Sequence, residues 1–542
     1  TIINYNPDLY TDTVEFKGIN KDELTFKQID SNLVISFKDS NIKDSLTIKD
    51  FYKLDYNQRA VNAISLIKFN NKILNLKDIN DLALKSISND GDKISVVTSD
   101  DYVVNGGNGN DTITTNSGND IINGGRGNDI LNGGSGNDTY VFERVFGNDT
   151  IINYNPNLDS TDTIKFINGI TLNDLRFSQD GNNLYITMDD ENSVTVKGFF
   201  NGQTIKKIEF SDGKTLNLKD ILSLSLKGAT DSNDTLKVIT NDNFIVNAKG
   251  GDDKITLNGG NDYIDAGSGN DTVNAGSGND IIIGGNGNDS LNGGSGSDTY
   301  KFARGFGKDL IINTINQGEI ETIEFIDDIK PSELKFSKKN LDLVVSFKDD
   351  TITDSITIKD FYKPPYNSGI NRVKFSDSTI LNLKDINDLV LNSNSNDLAV
   401  NTNHNYTINS NIKDVTITTL GGNDDITSTG NSYIDSGAGD DNIITKAGKD
   451  TIKAGSGRDY INSGDGDDYI DAGNGDDILV GGSGNDTLIG GLGSDTYEFS
   501  VNFGNDIIIN EDERNTTDKI KFSDDTKASD LKFYQDDNKN LI

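Results

Sequence analysis

Cysteine and tryptophan are absent from these 542 residues, and histidine occurs once. Without cysteine there is no disulfide framework, no catalytic thiol and no thiolate zinc site. The lone histidine, His404, lies in Thr402-Asn403-His404-Asn405 and reads as a solvated side chain without partners for catalysis or metal binding. No apolar run approaches the length of a membrane-spanning helix, and Thr1 opens no signal peptide. Basic residues are outnumbered, 50 Lys and Arg against 86 Asp and Glu, for a net charge of −36. That excess, with an isoelectric point near 4.3, argues against a nucleic-acid partner, whose phosphates would be repelled. There is no Gly-x-Ser-x-Gly elbow, no His-Glu-x-x-His zinc site and no phosphate-binding loop. Acidic pairs of the kind a glycosidase needs could be drawn, but a solvated surface and the loops described next account for those residues. No enzyme is expected.

What the chain has instead is a repeat. Asp441, Asp450, Asp459, Asp468, Asp477, Asp486 and Asp495 follow one another every nine residues. Two positions after each stands a large apolar or aromatic residue, from Ile443 to Tyr497, and two positions before each stands a glycine. The same phase runs through Asp111, Asp120, Asp129 and Asp138, and again through Asp253, Asp262, Asp271, Asp280, Asp289 and Asp298. Three-residue strands with one inward side chain cannot bury a core alone and must stack on their copies. A flexible linker of the same composition would not keep this phase. Glycine tolerates positive φ and lets main-chain oxygens approach a small ion. The paired glycines are Gly107 and Gly109, Gly125 and Gly127, Gly267 and Gly269, Gly276 and Gly278, Gly285 and Gly287, Gly455 and Gly457, Gly464 and Gly466, Gly473 and Gly475, and Gly482 and Gly484. Carboxylates at fixed phase among such carbonyls form the all-oxygen set that Ca²⁺ prefers, and no loop has the offsets of an EF-hand.

The repeat, seen most cleanly in Gly481-Gly482-Ser483-Gly484-Asn485-Asp486-Thr487-Leu488-Ile489, resembles the RTX nonapeptide of haemolysin-type calcium-binding bacterial exoproteins. The resemblance implies a parallel β-roll with two nonapeptides per turn. It also implies Ca²⁺ between aspartates eighteen residues apart, Asp441 with Asp459 and Asp450 with Asp468. Two departures weaken the pattern: Thr115-Asn116 replaces two leading glycines, and before Asp441 the repeats degenerate, with Asp424 in place but Ser432 where an aspartate is due. By this reading Asp468 has acidic neighbours on both sides, whereas the lower counterpart of Asp441 falls in the degenerate pair. With about ten ions bound at two charges each, roughly 20 of the 36 negative charges would be offset.

Between the repeats, β-type phrases recur. Val14-Glu15-Phe16 returns as Ile164-Lys165-Phe166, Ile323-Glu324-Phe325 and Ile520-Lys521-Phe522. Leu74-Asn75-Leu76-Lys77-Asp78-Ile79 closes a copy and is matched at 216–221 and 381–386. About six short antiparallel strands per copy are expected, ending in a helical turn. The segments 80–103, 222–247 and 387–410 read as loops or weak strands, and 411–419 as irregular roll turns. The expected fold is therefore all-β: β modules at 1–99, 150–235, 310–395 and, truncated, 507–542, alternating with roll blocks at 104–149, 248–309 and 411–506 in an elongated array. These modules resemble the haemolysin-type calcium-binding related domains. Phe146, Phe306 and Phe503, each in a Phe-Gly-x-Asp after a block, are expected to cap the roll. Asp149, Asp309 and Asp506 then fall two residues out of phase.

Thr1-Ile2-Ile3-Asn4 matches Thr150-Ile151-Ile152-Asn153, which follows a block, so the chain reads as a piece of a longer exoprotein. The resemblance implies a secreted or cell-surface location, passage through a type I secretion apparatus that reads sequence beyond Ile542, and folding on external calcium. The expected role is structural spacer or target-binding region of an adhesin, surface-layer protein or toxin, with a host receptor or glycan as partner. The alternative is a carbohydrate-binding accessory of a polysaccharide-modifying enzyme.

Overall fold

A strand of three residues exposes nearly all of its backbone polar groups, and only a neighbour in register can satisfy them. In a computed structural model of the chain, describing residues 12–53, 64–70, 72–152, 160–202, 205–312, 318–364, 370–393, 395–510, 516–523 and 526–532, that neighbour lies one roll turn away. The opening phrase Thr1–Asn4 lies outside the described residues. The chain divides into two units, Thr1–Gly267 and Ser268–Ile542.

In the first unit two sheets face each other across a roll. Val103–Asn105, Ile121–Asn123, Thr139–Phe142 and Asp162–Phe166 pair in parallel on one side. Lys93–Ser95, Thr112–Thr114, Ile130–Asn132 and Asn148–Ile151 do so on the other. Ile113 stands opposite Leu131, and Leu131 opposite Ile151, all fully buried. Each such side chain contributes about 1.5–3 kcal/mol by leaving water.

The second unit repeats this plan over more turns. Ile434, Ile452, Ile470, Leu488 and Ile508 align on one sheet, and Ile443, Ile461, Leu479, Tyr497 and Ile520 on the other. Most of these form one continuous core. The fold is thus a parallel β-roll with small antiparallel modules.

Three features differ from the sequence reading. The rolls begin earlier than expected: Lys93–Ser95 and Asp397–Ala399 are strands in parallel register with the next turn, and Thr235–Lys237 pairs likewise with Lys254–Thr256. Their loops lack the paired glycines of the repeat, although Asp92 and Asp234 keep its acid two positions before Ile94 and Leu236. The boundaries drawn after 149 and 309 fall inside strands, Asn148–Ile151 and Lys308–Ile311. The module strands there extend the sheets of the roll, Asn148–Ile151 pairing in parallel with Ser193–Val196 and Lys308–Ile311 with Ser355–Ile358.

Finally, the helical turn expected at the end of the module is a helix of two turns, Leu76–Ala83, which starts within the phrase at 74–79. Asn75 caps it, accepting the Asp78 N–H at 2.8 Å while Asp78 accepts that of Asn75 at 3.1 Å, a reciprocal arrangement that satisfies two otherwise unpaired donors. Leu218–Leu226 and Leu383–Leu391 are capped the same way by Asn217 and Asn382. Among its described residues the module at 12–83 has the six expected strands, but Asp12–Glu15 runs parallel to Ile64–Lys68.

The aromatic residues after each block pack on the aromatics of the neighbouring strands, while the sheets of the roll run on past Phe146 and Phe306 rather than ending there. Phe146 is buried against Phe142 and Phe166, Phe306 against Phe302, and Phe503 packs on Phe499 and Phe522.

Candidate metal centre

Parallel stacking puts residues eighteen apart directly above one another, and it does so with the aspartates. The Asp111 N–H donates to Asp129 Oδ1 at 2.8 Å and the Asp120 N–H to Asp138 Oδ1 at 2.9 Å. In the second unit the same bond joins Asp271 to Asp289, Asp280 to Asp298, Asp441 to Asp459, Asp450 to Asp468, Asp459 to Asp477, Asp468 to Asp486 and Asp477 to Asp495, all at 2.8–3.0 Å. Asp253 and Asp262 receive the N–H groups of Asp234 and Phe244 at 2.7 Å.

One carboxylate oxygen is thereby used. The other is not: Oδ2 of Asp111, Asp120, Asp129, Asp138, Asp289, Asp298, Asp424, Asp441, Asp450, Asp459, Asp468, Asp477 and Asp486 is buried without a hydrogen-bond partner. Each of these side chains is at most 3% exposed. A buried, unpartnered carboxylate oxygen is costly unless a cation or a proton meets it.

The burial shows in the acidity. It pushes Asp111, Asp120, Asp289, Asp441, Asp468 and Asp477 up to about 6, against the opposing pull of the backbone N–H donors. Asp138, Asp298 and Asp459 rise to about 7 for the same reason.

The glycine loops crowd the same edge. All eighteen paired glycines have positive φ, from +84° at Gly464 to +150° at Gly466. A Cβ at Gly125 or Gly127 would strike the carbonyl oxygen of Gly107 or Gly109 in the turn below. Main-chain oxygens therefore lie where side chains are excluded. Among the described residues no three acidic or histidine side chains converge on one point, so any ion here must be completed by these carbonyls. An all-oxygen set of carboxylates and carbonyls fits Ca²⁺ and disfavours zinc or copper. His404 is exposed and meets Thr402 Oγ1 at 3.0 Å.

The two irregular repeats resolve differently. Thr115, in place of a glycine, is buried and donates Oγ1–H to the Gly133 carbonyl at 3.0 Å, while Asn116 adopts φ +71°. Asp120 keeps its place above them. Near Asp441 the short repeat shifts the pairing. The Asp424 N–H reaches Asp441 Oδ1 at 2.8 Å across seventeen residues, and Ser432 stands instead beneath Asp450, donating its N–H at 2.6 Å. Asp441 thus has carboxylates on both sides, and the interrupted neighbour is Asp450, contrary to the sequence expectation. Asp468→Ala and Asp441→Ala should each cost two bound Ca²⁺ per chain and Asp450→Ala only one, measured by metal analysis after dialysis. Equal losses in all three would refute pairwise sharing.

The ladder also takes in acids that nine-residue phase does not reach. Asp92 precedes Asp111, donating its N–H at 2.6 Å. Asp162 follows Asp138, Glu321 follows Asp298 and Asp518 follows Asp495, at separations of 24, 23 and 23 residues. Their common signal was an acid two positions before the apolar residue of Ile164-Lys165-Phe166 and its copies.

Comparison with known proteins agrees with this geometry. The family model of the RTX calcium-binding nonapeptide repeat (4 copies) matches residues 105–140, 245–273, 266–300, 426–452, 435–470, 444–479, 463–497 and 471–508. That of the haemolysin-type calcium binding protein related domain matches 183–220 and 342–385. The chain thus carries RTX nonapeptide repeats, with segments matching the related domain lying between them. It is 38% identical over 104 residues to the iron-regulated protein FrpA of Neisseria meningitidis serogroup C. That match covers 18% of this chain and 9% of FrpA, so the chain spans only a small part of its relative. The extracellular lipase LipA of Serratia marcescens aligns over 49% of this chain and 37% of its own at 20% identity, with a TM-score of 0.17, and no functional argument follows from it.

Proposed function

We propose that this calcium-binding array is the structural part of an exported protein, folding when it meets external calcium and holding or presenting other parts of that protein as spacer or target-binding region of an adhesin, surface-layer protein or toxin. The role is non-catalytic. What supports it is the ladder itself, in which carboxylate after carboxylate is buried with one oxygen left for a cation. Among the described residues no helix is long and apolar enough to cross a membrane. Extracellular modules bind Ca²⁺ with dissociation constants of about 10⁻⁴–10⁻³ M, and that range keeps a chain unfolded in calcium-poor cytoplasm. A calcium titration of the full chain by circular dichroism should show its midpoint there. A midpoint below about 10⁻⁷ M, tight enough to fill the sites before export, would defeat the proposal.

One observation favours carbohydrate binding as a second reading. Tyr433 and Tyr469 lie in one row of a sheet, separated by Thr451, and both are exposed. Binding to a glycan array that is lost in Tyr433→Ala/Tyr469→Ala would favour it over a plain spacer.

A further inference from the structure

The carboxylate ladder does not stop where the nonapeptides stop. Asp149 lies beyond the first matched segment, two residues out of phase, in the strand Asn148–Ile151. It is 1% exposed, and its Oδ1 accepts the Asp129 N–H at 2.8 Å, as Asp129 Oδ1 accepts that of Asp111. Its Oδ2 is buried without a partner. The loop beneath keeps the geometry of a repeat despite its changed length. Gly147 has φ +91°, and a Cβ there would strike the Gly127 carbonyl, as one at Gly127 would strike that of Gly109. The Asn148 N–H donates to Asn128 Oδ1 at 2.9 Å, as the Asn128 N–H does to Asn110 at 2.8 Å.

The second unit builds the same arrangement independently. Asp309 is 2% exposed, its Oδ1 accepts the Asp289 N–H at 2.9 Å, and its Oδ2 has no partner. Gly307, at φ +89°, stands over the Gly287 carbonyl, and the Lys308 N–H donates to Asn288 Oδ1 at 3.0 Å. What differs is the far side, which the module supplies. Asn192 Oδ1 accepts the Phe146 and Gly147 N–H groups at 3.0 and 3.1 Å, and Asp354 Oδ2 accepts that of Gly305 at 2.8 Å.

We propose that Asp129 with Asp149, and Asp289 with Asp309, each hold a further Ca²⁺ where the roll passes into the β module. The module is thereby fastened to the roll by metal as well as by sheet pairing. The donors are carboxylate and main-chain oxygens only, the set suited to a hard cation of flexible coordination. A buried carboxylate oxygen lacking any donor needs a cation or a proton beside it. This inference rests on the reading of the ladder as a calcium site.

The test counts ions on the full chain at saturating Ca²⁺, by metal analysis after dialysis. Asp149→Asn and Asp309→Asn should each lower the stoichiometry by one, and the double variant by two. Asp129→Asn, inside a matched repeat, serves as the reference. Full stoichiometry in the first two variants with a loss in Asp129→Asn would overturn the junction sites and leave the repeat sites standing. No loss in any of the three would overturn the calcium ladder itself. A measurement on the unaltered chain guards against variants that misfold. In crystals grown with Tb³⁺, anomalous scattering should place an ion between Asp129 and Asp149 and another between Asp289 and Asp309. Ions in the repeats but none at these two places would again overturn the inference.

Discussion

In a chelator at pH 8.5 the chain should lose most of its strand signal in far-ultraviolet circular dichroism, and lowering the pH to 5 in the same chelator should bring part of it back. The sign follows from the buried aspartates. Burial raises Asp149 and Asp309 to about 8, and Asp138, Asp298 and Asp459 to about 7, in the metal-free roll. In the unfolded chain they titrate near 3.9. The folded form therefore binds protons more readily, so their contribution to stability is greatest below about pH 4 and falls away as pH rises through 6 to 8. At pH 8.5 without metal every one of them opposes folding, and a proton can stand in for the missing ion only on acidification. Millimolar Ca²⁺ should restore the signal at pH 8.5. Mg²⁺ should do so poorly, because it holds its water and demands tight octahedral geometry. Identical spectra in chelator and Ca²⁺ at pH 8.5, or no recovery at pH 5, would contradict the ladder as the source of calcium dependence.

The second large effect belongs to a glycine. Gly466→Ala should destabilise the calcium-loaded chain by more than about 3 kcal/mol, because the left-handed backbone costs an alanine about 1–3 kcal/mol by itself and the collision adds to it. Gly466 has φ +150°, and a Cβ there would strike the carbonyl of Gly448 in the turn below. Neither backbone can yield without breaking register with its neighbours. Gly181, in a hairpin turn at φ +58°, is the control, since its Cβ would meet nothing within 4 Å. Gly181→Ala should cost only about 1–2 kcal/mol. Calcium-saturated thermal melts of both variants test the difference, and equal shifts would show that the loops do not pack turn upon turn.

How much of this was legible in the sequence depended on phase. From Asp441 to Asp495 the nine-residue spacing is unbroken, and each aspartate there with a successor eighteen residues on donates its N–H to that successor's Oδ1. Where residues are inserted or lost, the stacking is kept and the spacing is not. Asp162 and Asp518 hold their places across loops of different length, which a fixed period misses. The single deletion before Ser432 moved the gap in the ladder from beside Asp441 to beside Asp450. The early turns at 93–105 were hidden for another reason. Tyr102 occupies the step below Asp120, and its hydroxyl accepts a bond from the buried Asn80 of the helix at 3.0 Å. A tyrosine in an aspartate's position carries no signal of a metal loop. The parallel pairing of module strands with the roll was not legible in either segment alone, because each phrase alternates as an ordinary hairpin strand would.

The eighteen-residue turn has a mechanical consequence. Neighbouring strands of a sheet lie about 4.8 Å apart, so each turn adds about that much height. The chain wound into it would reach about 60 Å if drawn straight. Pulled from its ends, such a roll would yield in steps, each turn lengthening the molecule by about 55 Å and surrendering its share of bound metal as it opens. Tension and calcium would then be opposing loads on one spring, and a tether of this kind would stiffen or slacken with the salt around it.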